Sequence, residues 1–331
     1  MDFFDTILFS FLAALPTLDV YLYASRVAIT ASHPLVPLLI LRKIKNTRYR
    51  PMYVTSKEMI YAARKGGYAV PAFNAENLEM VQAIVAAAEK MKSPVMIQTT
   101  PSTVKYLTLR QAVAMVKAEG EAASVPVALH LDHCESYEDV MAAVDAGYTS
   151  VMIDGSKLPY EENIAVTKKV VEDAHAKGVT VEAELGTVGG KEDGHSADIA
   201  YTDPDEALDF FKRTGVDIFA VAIGTAHGFY KGEPKLNFEL LEKLADTIEA
   251  PLVLHGGSGV PDEMIRRTIE LGINKVNYAT ELRAAMTKAV REALTDEGII
   301  DPKKFMGKGR EAVIELCCHK IKLCGSDGKA E

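Results

Sequence analysis

"PVALHLDHCESYEDVMAAVDAGYTSVMID", Pro126 to Asp154, contains one complete unit of this chain. An apolar, β-rich run (126–132) passes into a polar loop, then a segment with helical spacing, then Gly147, then a second apolar run (149–154). Strands that are apolar almost throughout are buried on both faces, as in a parallel sheet covered by helices. The same order recurs outward in both directions: "YAVPAFN" (68–74) and "PVMIQTT" (94–100) precede the unit, and "VTVEAEL" (179–185), "DIFAVAIG" (217–224), "PLVLHG" (251–256) and "NKVNYAT" (274–280) follow it, eight runs in all. Gly67, Gly147, Gly178, Gly215 and Gly272 stand just before five of them, where a helix end calls for a residue that accepts positive φ. Helix starts are also marked, by Asp203-Pro204-Asp205-Glu206 and by the capping box Thr55-Ser56-Lys57-Glu58. Leu78–Met91 and Pro261–Leu271 carry apolar residues at helical spacing. Eight such units over roughly 230 residues match a closed α/β (β/α)₈ barrel of the TIM type. An open doubly wound sheet is the alternative, but no GxGxxG follows the first run.

The 331 residues are 48% apolar and 25% charged, enough to bury a large core. A net charge of −9 without a long basic run argues against nucleic acid or an anionic membrane as partner. Cys134, Cys317, Cys318 and Cys324 form no CxxC pair, which fits a reduced, cytoplasmic setting. Residues 1–51 stand apart. Their apolar stretches are broken by Asp19, Arg26 and prolines, and the basic cluster follows them instead of leading. The expectation is an extension outside the fold, with a native start near Met52 and a single barrel domain over 52–331.

A barrel does its chemistry at the C-terminal ends of its strands. The last polar residues of the runs all fall there: Asn74, Thr100, Asp132, His133, Asp154, Glu184 and, in or after the later runs, His227, His255 and Asn277. Three imidazoles, His133, His227 and His255, can hold a cation and leave a fourth position open, as catalytic zinc sites do, although iron, cobalt or nickel also accept imidazole. Strand alternation sends His130 and Asp132 to one face and His133 to the other, so the chain must leave the strand near Asp132 to turn His133 inward. His130 then reads as a core histidine. Gly228, Lys231, Gly256, Gly257, Ser258 and Thr280 cluster in the loops after the last three runs, where small residues, a lysine and a helix N-terminus suit a phosphate. Lys275 lies at the entrance of the last run, the wrong end for a Schiff-base nucleophile.

"GYAVPAFN", "LHLDHCES", "MIDGSKLPYEENI", "VEAELGTVGGKED", "AVAIGTAHGFYKG", "PLVLHGGSGVPDE" and "KVNYATELR" together resemble the class II ketose-bisphosphate aldolases, metal-dependent barrel enzymes of glycolysis and sugar catabolism. The resemblance covers about 280 residues from Met52 onward and leaves residues 1–50 without a counterpart. It implies one catalytic Zn²⁺ per subunit on His133, His227 and His255, with Asp154 and Glu184 near a second or displaced ion. Asp132 is then the acid/base on the C4 hydroxyl, and Glu192, in the glycine-rich loop 186–194, exchanges the proton on the dihydroxyacetone phosphate carbon. Gly228, Lys231, Gly256, Ser258, Asn277 and Thr280 match contacts to the C1 phosphate and neighbouring hydroxyls, with a monovalent cation close by. Arg283 and Thr100 match residues that hold the far phosphate. The implied substrate is fructose or tagatose 1,6-bisphosphate, cleaved to dihydroxyacetone phosphate and glyceraldehyde 3-phosphate by a homodimer or homotetramer. Ala279 stands where fructose-type relatives carry an acid or amide, which leans toward tagatose. A metal-dependent hydrolase on the same barrel and a non-catalytic subunit are the rival readings.

Overall fold

In the computed structural model, residues 52–192, 195–197, 200–230 and 232–330 are described, with the side chains of 191, 192 and 195–197 excepted. The expectations for residues 1–51 lie outside them. From Met52 the backbone is tied down at once: Val127 N–H donates to Met52 O at 2.7 Å and Val54 N–H to Val127 O at 2.9 Å.

Helix α1 (Ser56–Gly66) leads to β1 (Val70–Asn74), α2 (Leu78–Met91), β2 (Val95–Thr99), α3 (Pro101–Leu107), α4 (Leu109–Ala122) and β3 (Val127–Cys134). Then come α5 (Tyr137–Ala146), β4 (Ser150–Ile153), α6 (Tyr160–His175), β5 (Thr180–Leu185), and a short hairpin of β6 (Gly189–Glu192) and β7 (His195–Ala197). The chain continues through α7 (Pro204–Thr214), β8 (Ile218–Val221), β9 (Ala226–His227), α8 (Phe238–Thr247), β10 (Leu252–Leu254) and α9 (Asp262–Glu270). It ends with β11 (Ile273–Tyr278), α10 (Thr280–Ala293) and α11 (Pro302–Leu323). Eight parallel strands close into a barrel in the order β1-β11-β10-β8-β5-β4-β3-β2. The open-sheet alternative is thereby excluded.

Each expected run overlaps one barrel strand, because the apolar residues are needed on both sides of the wall. Val70, Ala72, Met96, Ala128, Ile218, Ala220 and Val253 pack inward, and α1 joins them through Met59, Ile60 and Ala63. Helix α1 therefore plugs the starting ends of the strands. Here the capping box does not form: the Thr55 side chain makes no cap bond, and Ser56 Oγ lies 2.9 Å from Ser150 Oγ inside the barrel. The Asp203 side chain does cap α7, accepting from the N–H groups of Asp205 and Glu206. Outward residues such as Phe73, Ile97, Leu129, Val151 and Phe219 meet the helix layer in a second, larger core. No helix among the described residues is long and apolar enough to cross a membrane.

Two features at the other end depart from the sequence expectation. Strand β3 does not stop at Asp132 but runs to Cys134 across a bulge, where its register with β4 shifts between Leu131 and Cys134. His133 sits at that bulge with φ +49°, and this left-handed residue brings its ring to the side that Asp132 occupies. The glycine-rich stretch 186–194 contains β6, which pairs antiparallel with β7 and parallel with β9, Gly190 opposite His227.

Candidate active site

Three imidazoles meet at the strand ends. The His133 and His255 ring centroids are 4.4 Å apart, His133 and His227 4.9 Å, and His227 and His255 6.1 Å. One nitrogen from each ring falls within 4.8 Å of the others. His133 Nε2 and His255 Nδ1 face each other at 2.7 Å, and the opposite nitrogen of each ring reaches a carboxylate: His133 Nδ1 to Asp154 Oδ2 at 2.9 Å, His255 Nε2 to Glu182 Oε1 at 2.9 Å. A carboxylate on the outer nitrogen holds the proton there, which turns two lone pairs toward one point. Such an arrangement fits a divalent cation, and the all-imidazole donor set suits zinc.

Around this point the carboxylates differ in state. Burial raises Asp154, but hydrogen bonds from His133 and Ser156 outweigh it and hold the carboxyl below its ordinary range. Glu184 is fully buried and pushed up to about 8, first by burial and then by the Asp154 charge. His133, Asp154 and Glu184 form a second group with ligand atoms within 4.8 Å. A cation there would reverse the effect on Glu184.

Asp132 is buried beside the imidazoles and held from two sides. Gln98 Nε2 donates to its Oδ2 at 2.9 Å and to Asn74 Oδ1 at 2.8 Å, while Asn277 Nδ2 lies 3.2 Å from Oδ1. These amides fix the carboxylate as an acceptor aimed at the cleft. Asn74, Asp132, His227, Gly228, Gly256, Ser258, Asn277, Ala279, Thr280 and Arg283 line that cleft. Its floor is braced by Tyr230, which accepts from Ala226 N–H at 2.8 Å and donates to Gly256 O at 3.0 Å. Gly256, at φ +65°, lets the backbone pass Ala226: a Cβ there would lie 2.6 Å from the Ala226 carbonyl oxygen. Ser258 Oγ accepts from the Ala279 N–H at 3.1 Å and so caps the start of α10, whose first residue, Thr280, faces the cleft.

Not every expected residue reaches the cleft. Thr100 is fully buried at the start of α3, with its hydroxyl near those of Ser102 and Thr103, and does not line it. Gly257 N–H donates to Asn277 O, and its missing Cβ makes room for Val276. Glu192 has a placed backbone in β6, and Lys231 lies outside the described residues. Arg283 is at the rim with Nε on Glu76 Oε1 at 2.5 Å.

Three participants were missed by sequence reasoning. Gln98, Glu182 and Glu76 gave no motif, although strand parity with Met96 and Glu184 marks Gln98 and Glu182 as inward. A fourth, Lys275, was read only as lying at the entrance of the last run; it is fully buried within β11 and reaches into the barrel, its Nζ 2.8 Å from Glu182 Oε2. His130 is the core histidine expected, its Nδ1 2.8 Å from Ser150 Oγ. Burial, then the Lys275 charge, keeps it well below its usual pKa and neutral.

Comparison with known proteins gives a consistent result. The family model for fructose-bisphosphate aldolase class-II matches residues 54–329. A fructose-bisphosphate aldolase of Geobacillus stearothermophilus is 51% identical over 282 residues, 84% of this chain and 98% of that protein. The structure of the YdjI aldolase from Escherichia coli K12 superposes with a TM-score of 0.76 at 40% identity, covering 84% of this chain and all of that one. That of a Campylobacter jejuni fructose-bisphosphate aldolase, 24% identical, shares the fold with a TM-score of 0.72, over 84% of this chain and 97% of its own.

Proposed function

The chain belongs to the class-II fructose-bisphosphate aldolase family and is a lyase, and on that premise we propose that it reversibly cleaves ketose 1,6-bisphosphates, fructose 1,6-bisphosphate foremost, with tagatose 1,6-bisphosphate also accepted. The observation that carries the reading is the Asp132 carboxylate, held by Gln98 and Asn277 next to three converging imidazoles and open to a cleft that ends at a helix N-terminus.

Zn²⁺ held by His133, His227 and His255 would supply Lewis acidity to the C2 carbonyl of the ketose. The chain's own residues do the rest. Asp132 takes the C4 hydroxyl proton as C3–C4 breaks, its lone pairs already aimed by two amide donors. Glu192, on the hairpin that pairs with the strand of His227, returns a proton to C3 of the three-carbon fragment. Gly228, Gly256, Ser258 and the first turn of α10 receive the C1 phosphate, with Lys231 adding a positive charge, and anchor the substrate away from the reacting bond. Arg283 takes the far phosphate. Asp154 and Glu184 would receive a second or displaced divalent ion. Glycolysis or a related sugar catabolism is the pathway this chemistry serves.

Ala279 supports the relaxed choice of sugar, since the two substrates differ only at C4 and a methyl group offers that hydroxyl no partner. Without a hydrogen-bonding discriminator, the two kcat/KM values should agree within about 1 to 1.5 kcal/mol, roughly tenfold. Coupled assays on both sugars, before and after chelation and after Zn²⁺ readdition, test the reading. Failure to cleave either sugar, or full activity after chelation, overturns it; a preference above about a hundredfold overturns only the shared specificity.

A further inference from the structure

Beneath the three imidazoles the barrel buries a full ion pair. Glu182 on β5 and Lys275 on β11 are 0% exposed, with Oε2 and Nζ 2.8 Å apart. Strands β10 and β8 stand between them in the sheet, so the pair crosses the barrel interior instead of joining neighbours. An ion pair this deep gains little over apolar residues of the same volume, because desolvation offsets most of the attraction. Packing alone does not account for it.

Its free end does. Glu182 uses Oε2 for Lys275, and its Oε1 lies 2.9 Å from His255 Nε2, the ring nitrogen opposite the one that faces His133. We propose that Glu182, anchored by Lys275, positions His255: it keeps the imidazole proton on Nε2 and so presents Nδ1 as a lone pair to the three-histidine centre. This rests on reading those histidines as metal ligands. His133 receives the mirror treatment from Asp154 on the surface side, with Nδ1 protonated and Nε2 presented. The ammonium of Lys275 keeps Glu182 from swinging and orients its two oxygens in opposite directions. Partners of this kind set metal affinity through ligand orientation.

The ion pair makes one substitution informative. In Glu182→Gln the amide carbonyl turns to the Lys275 ammonium, so its NH₂ faces His255 Nε2 and drives the imidazole proton to Nδ1. Zn²⁺ affinity, measured on the full chain by competition with a chromophoric chelator, should fall by about 10- to 100-fold. The visible spectrum of the Co²⁺-loaded protein should change with it. Adding Lys275→Met frees the amide carbonyl to accept from Nε2 again, and the double variant should recover most of the affinity. A purely structural ion pair would instead lower the melting temperature of Glu182→Gln and leave Zn²⁺ affinity of the folded protein within about twofold, which overturns the proposal. So does a double variant that binds no tighter than the single one. Should the single variant not fold, Glu182→Leu/Lys275→Met against Glu182→Gln/Lys275→Met carries the same comparison, both neutral inside, and equal Zn²⁺ affinity of those two sinks it. A parent protein that binds no Zn²⁺ overturns this proposal and the metal reading beneath it together, whereas a parent that binds with unaffected variants overturns only the role of Glu182.

Discussion

Asp132 illustrates how much of the chemistry is decided by a single side chain's neighbours. Its two oxygens are claimed by amides of Gln98 and Asn277, donors that cannot themselves take a proton, so the carboxylate is oriented without being neutralised. Asp132→Ala should lower kcat by about 10²- to 10⁴-fold while zinc content, read by elemental analysis, stays at one per chain. Asp132→Asn should be equally inactive and more stable than Asp132→Ala, because Ala leaves one N–H of Gln98, which keeps only Asn74 Oδ1, and one of Asn277 without an acceptor, at about 1 to 3 kcal/mol, whereas Asn retains an acceptor oxygen. Full activity in either variant would remove Asp132 from the mechanism. Ala279 belongs to the same scale. Ala279→Asp would put a polar group on the cleft wall where the C4 hydroxyl is proposed to lie and should separate the two sugars by about 1 to 3 kcal/mol in kcat/KM; unchanged ratios would show that the discriminating contact lies elsewhere.

The decisive element is the hairpin of β6 and β7. Gly190 has φ +90° and lies against the backbone of His227, so it permits the close approach that joins the hairpin to β9. Gly190→Ala introduces a Cβ into that contact and a conformation costing about 1 to 2 kcal/mol for an L-residue. Because the hairpin belongs to a separate three-stranded sheet and not to the barrel, the expected result is a loss of kcat of more than about tenfold with a melting temperature shifted by no more than about 4 °C. A large drop in melting temperature with normal kcat would place the hairpin among the structural elements. Sequence reading saw only a glycine-rich loop here. Short polar strands carry no apolar alternation, and besides its local hairpin partner β7, β6 pairs with β9, where Gly190 meets His227 from a distant part of the chain.

At the scale of the molecule, stability and chemistry sit at opposite ends of the barrel. Asp217, just before β8, accepts from Lys57 Nζ of α1 at 2.7 Å and from the Val181 N–H at 2.9 Å, and His175 Nε2 lies 2.7 Å from it. It ties the plugging helix to two further elements. Lys57 is half exposed, so its share of the energy is small; the buried amide of Val181 left unpaired matters more. Asp217→Ala should therefore destabilise by about 1 to 3 kcal/mol in denaturant unfolding, with kcat unchanged, as expected for the starting end of the strands. A parallel loss of kcat would contradict that division.

The sequence by itself determined the barrel and brought the residues proposed for its chemistry to the ends of its strands. Every βα unit writes its signal locally, in an apolar run and a helix and in five cases a glycine, and Asp132, His133, His227 and His255 stand at the ends or in the following loops of those runs. Only the tertiary structure decided how they are aimed. The bulge that turns His133 depends on the β3–β4 pairing, and the inward contacts of Gln98, Glu182 and Lys275 exist only after the sheet closes. Thr100, legible as a strand-end hydroxyl, is buried at the start of α3 with its hydroxyl near those of Ser102 and Thr103. The reason is that a strand's residue types are set along the chain, whereas the partner across a closed barrel is set by register and curvature, which no local stretch encodes.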